Sequence, residues 1–371
     1  MLDLVDRDFG DDSAADAVLS AWQAEAPDVS VNAVVTVAVR PKPSATTEIG
    51  VLFHKNARLL FLDPISYLMR MVMFVGASCL FSVIYIEGRQ RVQDQVISRL
   101  WLAMWLMGAT TALGVVLIYL VNQDFSIVKR EVKDGLYSPL TFVLAQTCLS
   151  LPMLALMALC AVAPALYPIG NWRGEGFGRA YVTMFLSLAS FEFNAEFLAV
   201  AFANPLVGML VYLNLWFLSF VFCGVFVEIS AVPWPLRIFS YLSPLRWAIN
   251  ELVHAAFAGE SYDGAESCSS STSLAAAGTS LAGQEVSCPR GFYCAADATG
   301  VNCWGRTDDE ILAGLSSAFS TVETDDYLGR DLGIIAAIAV FSKGLYLLMF
   351  IRRSRTAETS MKPAAAASAE V

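Results

Sequence analysis

The feature that most limits this chain is a series of long, uninterrupted apolar runs. They fall at about 65–86, 98–121, 139–166, 179–202, 206–229 and 332–351. About 20 such residues span a hydrocarbon layer as a helix. A membrane barrel needs apolar and polar residues to alternate over roughly ten-residue segments, and these runs do not alternate. The composition points the same way: 56% of the 371 residues are hydrophobic and 16% are charged. Soluble domains carry about 25% charged residues. The fold class expected is therefore an all-α membrane protein with six spans.

The polar segments supply the orientation. With six spans both termini share a side. Nine Lys and Arg near the membrane belong to the tails and the 122–138 segment, against five in the opposite short turns. The positive-inside rule then puts the termini in the cytosol. The acidic residues 1–47 read as a cytosolic linker. Residues 48–62 place Ile49, Phe53, Ala57 and Leu60 on one helical face, the spacing of an amphipathic helix. Residues 231–257 are semi-apolar but carry three prolines, which suits a re-entrant segment of broken helices. The polar loop 258–330 holds eleven Asp and Glu, and residues 356–371 form a cytosolic tail.

Cysteine usage divides in two. Cys79, Cys148, Cys160 and Cys223 lie in apolar runs, while Cys268, Cys288, Cys294 and Cys303 share the polar loop. Loop cysteines on one side suggest an oxidising compartment there. Their spacing lacks the tight pairs of structural zinc. Disulfides are the better reading, and all three connectivities remain open.

Several functions are excluded. A net charge of −10 without a basic cluster argues against nucleic acid. No Gly-x-x-x-x-Gly-Lys-Ser/Thr string occurs, so no phosphate-cradling loop is present and no ATP–Mg cofactor is expected in this chain. His54 and His254 are the only histidines and fall on opposite faces in the six-span reading. The chain does not read as an enzyme.

At 122–152 the string FSIVKREVKDGLYSPLTFVLAQTCLSLP, with Arg130-Glu131, Gly135-Leu136-Tyr137-Ser138 and Leu151-Pro152, resembles the loop and third helix of ABCG-type (white and pleiotropic drug resistance) transporters. The string VFCGVFVEISAVPWPLRIFSYLSPLRWAI is similar to the family's fifth-helix corner and re-entrant segment. The step from Arg58 to Asp63-Pro64, the acidic start and the Cys-bearing loop fit as well. The resemblance covers nearly the whole chain.

It implies the membrane domain of a type-2 ABC exporter, in residues 63–355, in a plasma or organelle membrane. It implies pairing with another ABCG half as a homo- or heterodimer. ATP and Mg would enter through a nucleotide-binding domain supplied in trans or lost from this sequence. Substrates would be lipids, sterols or amphipathic small molecules. A non-transporting scaffold subunit that keeps the fold is the other reading.

The resemblance also assigns residues. Lys129, Arg130, Glu131, Gly135 and Tyr137 would form a coupling helix for the ATPase, with Arg130 and Glu131 a mutual pair. Thr110, Thr111, Val115, Leu213, Phe217 and Phe220 would line a cavity at the dimer axis. Gly224, Val225 and Phe226 would form a hydrophobic plug. From the residues themselves, Glu192 and Glu196 lie four apart on one face of the fourth run, and Lys343 lies in the last run. They read as a polar relay on a substrate route, or as structural charges paired with Arg70 or Lys343.

Overall fold

A computed structural model describes Ser20 and residues 43–62, 65–170, 174–267, 292–294 and 302–355. The chain divides into two units, Met1–Ser44 and Ala45–Val371. Most of the expected acidic linker, the Asp63-Pro64 step, Cys268, Cys288 and the 356–371 tail lie outside the described residues. Every element named here belongs to the second unit.

The helices begin and end where the sequence supplies caps. The first, α1 (Ala45–Leu62), turns Leu52 inward and leaves Phe53 exposed. Ile49, Ala57 and Leu60 of the expected stripe are half-buried, and Leu52 in place of Phe53 completes the packed face. After α2 (Ile65–Ile84) come α3 (Asp94–Ala112) and α4 (Val115–Lys133). Only Leu113 and Gly114 separate these two, so they form a nearly continuous rod of 40 residues. Gly114 is required there: a Cβ would lie 2.3 Å from the Tyr212 hydroxyl.

The second apolar run ends near 121 and a polar segment follows. The helix nevertheless runs on to Lys133. No breaker intervenes, and Phe125 and Val128 are buried in a cluster with Tyr346 and Phe350. The rod stops at Gly135, whose φ of +73° suits glycine. Leu136 N–H donates to Glu131 C=O at 3.2 Å and Gly135 N–H to Val132 C=O at 3.1 Å. This is the paired closure of a Schellman motif.

Next, α5 (Pro139–Val162) starts on a Ser138 cap, whose hydroxyl accepts from Thr141 N–H, with Pro139 in the first turn. Then come α6 (Gly174–Ala201) and α7 (Pro205–Val221), the latter capped by Asn204. The 231–257 segment folds as a short α8 (Arg237–Leu242) and α9 (Pro244–Phe257), and all 14 residues of α9 are buried. Two short strands, β1 (Ala265–Ser267) and β2 (Phe292–Cys294), pair antiparallel with Ala265 opposite Cys294. The loop ends in α10 (Asp308–Ala318), opened by a capping box between Thr307 and Glu310. The last helix is α11 (Leu328–Arg355).

Among the described residues five segments are long and apolar enough to cross a membrane: α2, the α3–α4 rod, α5 with the turns after it, α6 and α11. The fifth run forms α7, which is apolar but has 17 residues.

Helix α6 is the hub, packed by α11, α9, α4, α5 and α7. It buries two carboxylates, Glu192 at 6% exposure and Glu196 at 4%. Glu192 pairs with Arg70 of α2, and Glu196 with Lys343 of α11. Ser190 adds a 3.0 Å hydrogen bond to the Ile335 carbonyl of α11. Charges this deep are tolerated when paired inside the bundle. Removing one partner of a buried pair typically costs about 3–5 kcal/mol, because the other charge is stranded. Arg70→Met is therefore expected to lower the thermal unfolding midpoint in detergent sharply. Arg70→Met with Glu192→Leu should regain most of that loss. A double variant no better than the single would remove the pair from this role.

Candidate functional site

The turn between α4 and α5 brings three helices together. Glu131, in the last turn of α4, accepts from Lys55 Nζ of α1 at 3.0 and 3.1 Å and from the Tyr137 hydroxyl at 2.6 Å. Burial and the Glu131 carboxylate both push the Tyr137 phenol above its ordinary pKa, so it stays a donor. Glu48 of α1 accepts from Ser138 N–H at 3.3 Å and from the Thr141 hydroxyl at 2.9 Å. Further along α1, Asn56 donates to Gln146 of α5 at 3.2 Å. The amphipathic helix is thus fastened to both ends of the turn.

This geometry corrects the expected Arg130–Glu131 pair. Successive helical residues point about 100° apart, so neighbours in sequence do not face each other. Glu131 turns toward α1, while Arg130 is exposed. Lys55, Glu48 and Tyr137 carry the junction. Of these, Lys55 and Glu48 lie far from Glu131 in sequence, and only the helical face of α1 could have pointed to them.

The six expected cavity residues separate. Thr110 and Thr111 are buried, with hydroxyls donating to the Leu106 and Met107 carbonyls at 2.6 and 2.7 Å. Trp216 Nε1 donates to Thr111 Oγ1 at 3.0 Å, and the Tyr212 hydroxyl donates to Thr111 C=O at 2.7 Å. Phe220 is buried against Gly108, where a Cβ would lie 2.4 Å from its ring. Val115 is half-buried. Leu213 and Phe217 are exposed on the outward side of α7.

At the corner after α7, Gly224 adopts a φ of +94°. Val225 is buried, and Phe226 is half exposed beside Phe220 and Trp101. Residues absent from the motif pin this corner. Ser320 donates to Gly224 C=O at 3.1 Å, and Thr321 donates to Cys223 C=O. Among the loop cysteines, Cys294 and Cys303 form a disulfide.

The loop end of the bundle holds a polar cluster that sequence patterning did not single out. Arg179 of α6 bonds Glu251 of α9 at 2.8 Å and Asp326 at 2.7 Å. Asn250 donates to Asp331 at 2.8 Å and accepts from Glu323 N–H at 3.0 Å. Arg99, 1% exposed, donates to the carbonyls of Gly88, Ile169 and Ala256 at 2.7–3.1 Å. It braces three chain segments with no carboxylate.

Residues 47–257 match the family model described as ABC-2 type transporter, over more than half of the chain. The chain belongs to the ABC-2 type transporter family. The match opens at α1 and closes at the end of α9, so it contains the Lys55–Glu131–Tyr137 junction and four of the five long segments. The protein described as ABC transporter G family member 49 from Oryza sativa subsp. japonica is 25% identical over 206 residues, covering 53% of this chain. The chain spans 14% of that relative's length. As an ABC-2 type member the chain is a multi-pass membrane component of an ABC transporter. The α11 helix lies beyond the family match, yet it supplies Lys343 to the hub.

Two outcomes are expected in this ABC-2 domain. In a double-mutant cycle read by thermal unfolding, Lys55→Met and Glu131→Gln should couple by about 0.2–1 kcal/mol, the range for a part-exposed pair. Arg130→Met and Glu131→Gln should simply add. The second concerns Glu251, whose burial pushes its pKa up to about 7 against the pull of Arg179. The unfolded value is about 4.3. Between these values the folded state keeps a proton that the unfolded state releases, so stability falls as pH rises through this window. Glu251→Gln should therefore unfold at a higher temperature than wild type at pH 8, with the gap closing near pH 5. A gap independent of pH would refute the assignment.

Proposed function

We propose that this chain is the membrane half of an ABCG-type exporter, crossing the membrane six times with α7 as the fifth crossing. Two copies, or one copy with a related half, enclose the transport route. Lipids, sterols or amphipathic small molecules are the substrate class, moved by alternating access. Nucleotide-binding domains outside the present sequence drive the movement.

The observation that carries this reading is the junction at Glu131. A motor can move a span only through a connection that does not flex. Here a capped turn, an ion pair and two hydrogen bonds that Glu48 accepts from Ser138 and Thr141 tie α1 to the rod and to α5. The rod's rigidity and the interlocked helices suit a rigid-body transition. The charged tip, Lys129 to Asp134, offers the surface on which a nucleotide-binding domain would rest. The excess of positive charge at this end favours the cytosol. The Cys294–Cys303 disulfide favours an oxidising opposite side.

The reading is tested by introducing Lys129→Cys, crosslinking in native membranes and identifying the product by mass spectrometry. The expected product is a polypeptide containing a phosphate-binding loop and signature motif. Glu131→Ala should reduce the crosslink several-fold at unchanged expression. Recovery of a monomeric chain in a stable complex that lacks any ATPase would overturn the transporter reading and favour the scaffold.

A further inference from the structure

Beside the Lys55–Glu131 bridge lies a half-open cleft of about 260 Å³, walled by α1, α4, α5, α6 and α11. It adjoins a second lobe of about 330 Å³ that reaches Tyr67 and Arg70. The lobes share Asn56, Leu59, Val121, Asp124 and Gln146 as walls. The first lobe is largely aromatic. Phe142 and Phe350 stack with centroids 5.7 Å apart, and Phe125 meets Phe350 edge-on at 5.2 Å.

The charges around this space do not cancel. Three carboxylates border the first lobe: Asp124, Glu131 and Glu196. Glu131 is held by Lys55, and Glu196 by Lys343. In the second lobe Arg70 is neutralised by Glu192. Asp124 borders both lobes and has no ion pair or hydrogen bond among the described residues. One negative charge is left over, exposed at the open side of an aromatic and amide-lined cleft. Such a charge attracts a cation that enters the cleft, and aromatic faces add to that attraction.

The wall chemistry narrows the cation. Calcium needs six to eight oxygen ligands. Here one free carboxylate, the bonded amides of Asn56 and Gln146 and the Gln123 amide face the two lobes, too few oxygens for a bare metal ion. An anion or a neutral sterol would leave Asp124 unpaired. We propose that this cavity binds one organic ammonium carried on an apolar body, with the ammonium on Asp124 and the body against Phe125, Phe142 and Phe350. The ammonium belongs to a lipid headgroup or to a free amphipathic amine. Binding needs no ATPase, so it is read independently of the transporter reading.

The test uses the full chain in a neutral maltoside detergent, with ligand retention followed by native mass spectrometry. The probes are dodecylamine and dodecanol, matched in chain length. Wild type is expected to hold one amine per chain at least 10-fold more tightly than the alcohol. Asp124→Asn should lose that preference, and Asp124→Glu should keep it. Equal retention of amine and alcohol by wild type would overturn the proposal, and so would undiminished amine binding by Asp124→Asn. If Asp124→Asn does not fold, the wild-type comparison still decides. Competition then separates the sources. Displacement of the amine by phosphatidylethanolamine but not phosphatidylglycerol assigns a headgroup, and displacement by neither assigns a free amine. Equal displacement by phosphatidylglycerol would count against ammonium recognition altogether.

Discussion

The bundle depends on neutralising the charges of α6. This helix is surrounded on most sides, and most of its side chains are buried. Yet it carries Glu192 and Glu196 one turn apart. A single carboxylate in hydrocarbon is costly, and two like charges at that spacing repel each other. The structure meets both problems by sending cations from opposite ends of the sequence. Arg70 comes from the first long helix and Lys343 from the last. The same two contacts therefore remove the penalty and fix where α2 and α11 stand around the hub. Ser190 and the close packing of α9 complete the enclosure. Orientation of the outer helices follows from charge pairing at least as much as from shape.

From that centre the two ends of the bundle differ in kind. At the Glu131 end the connections are few, directed and partly exposed, as suits a surface that receives movement from another body. At the loop end they are many and interwoven: Arg99 on three carbonyls, Arg179 between Glu251 and Asp326, and Asn250 between Glu323 and Asp331. Networks of this type favour one arrangement, and here only Glu251 Oε1 of the named groups is buried without a hydrogen-bond partner among the described residues. The loop end is the anchored end of the domain. The rod from Asp94 to Lys133 joins the two, so displacement at its charged tip is carried along about 40 residues of near-continuous helix.

The cavity around Asp124 sits at the border between these regimes. It borders the tip of the rod, the amphipathic helix and the charged face of the hub at once. An occupant there would touch the elements that a motor must move together. This placement gives a bound amphipathic ammonium a route to influence the stiffness of the junction, since α1 and the rod both line the site.

Apolar runs, prolines and glycines made most of the helices legible in the sequence. Run length decides spanning capacity, Pro139 and Pro205 mark helix starts, and Gly135 marks the end of the rod. The same patterning made the family resemblance readable and exposed Glu192, Glu196 and Lys343 as charges out of place. It could not give partners, because a local period carries no information about which distant face is opposite. Tertiary packing decided that Glu131 turns to Lys55 and not to its neighbour Arg130. It decided that Thr110 and Thr111 spend their hydroxyls on their own helix, and that Ser320 and Thr321 hold the Gly224 corner. It also decided that the polar segment after residue 121 stays helical, since Phe125 and Val128 find Tyr346 and Phe350 from the far end of the chain. Composition and spacing settle which segments are helices and which can enter a membrane. Only the folded arrangement settles which charges cancel, and hence that Asp124 is left without a counter-charge among the described residues.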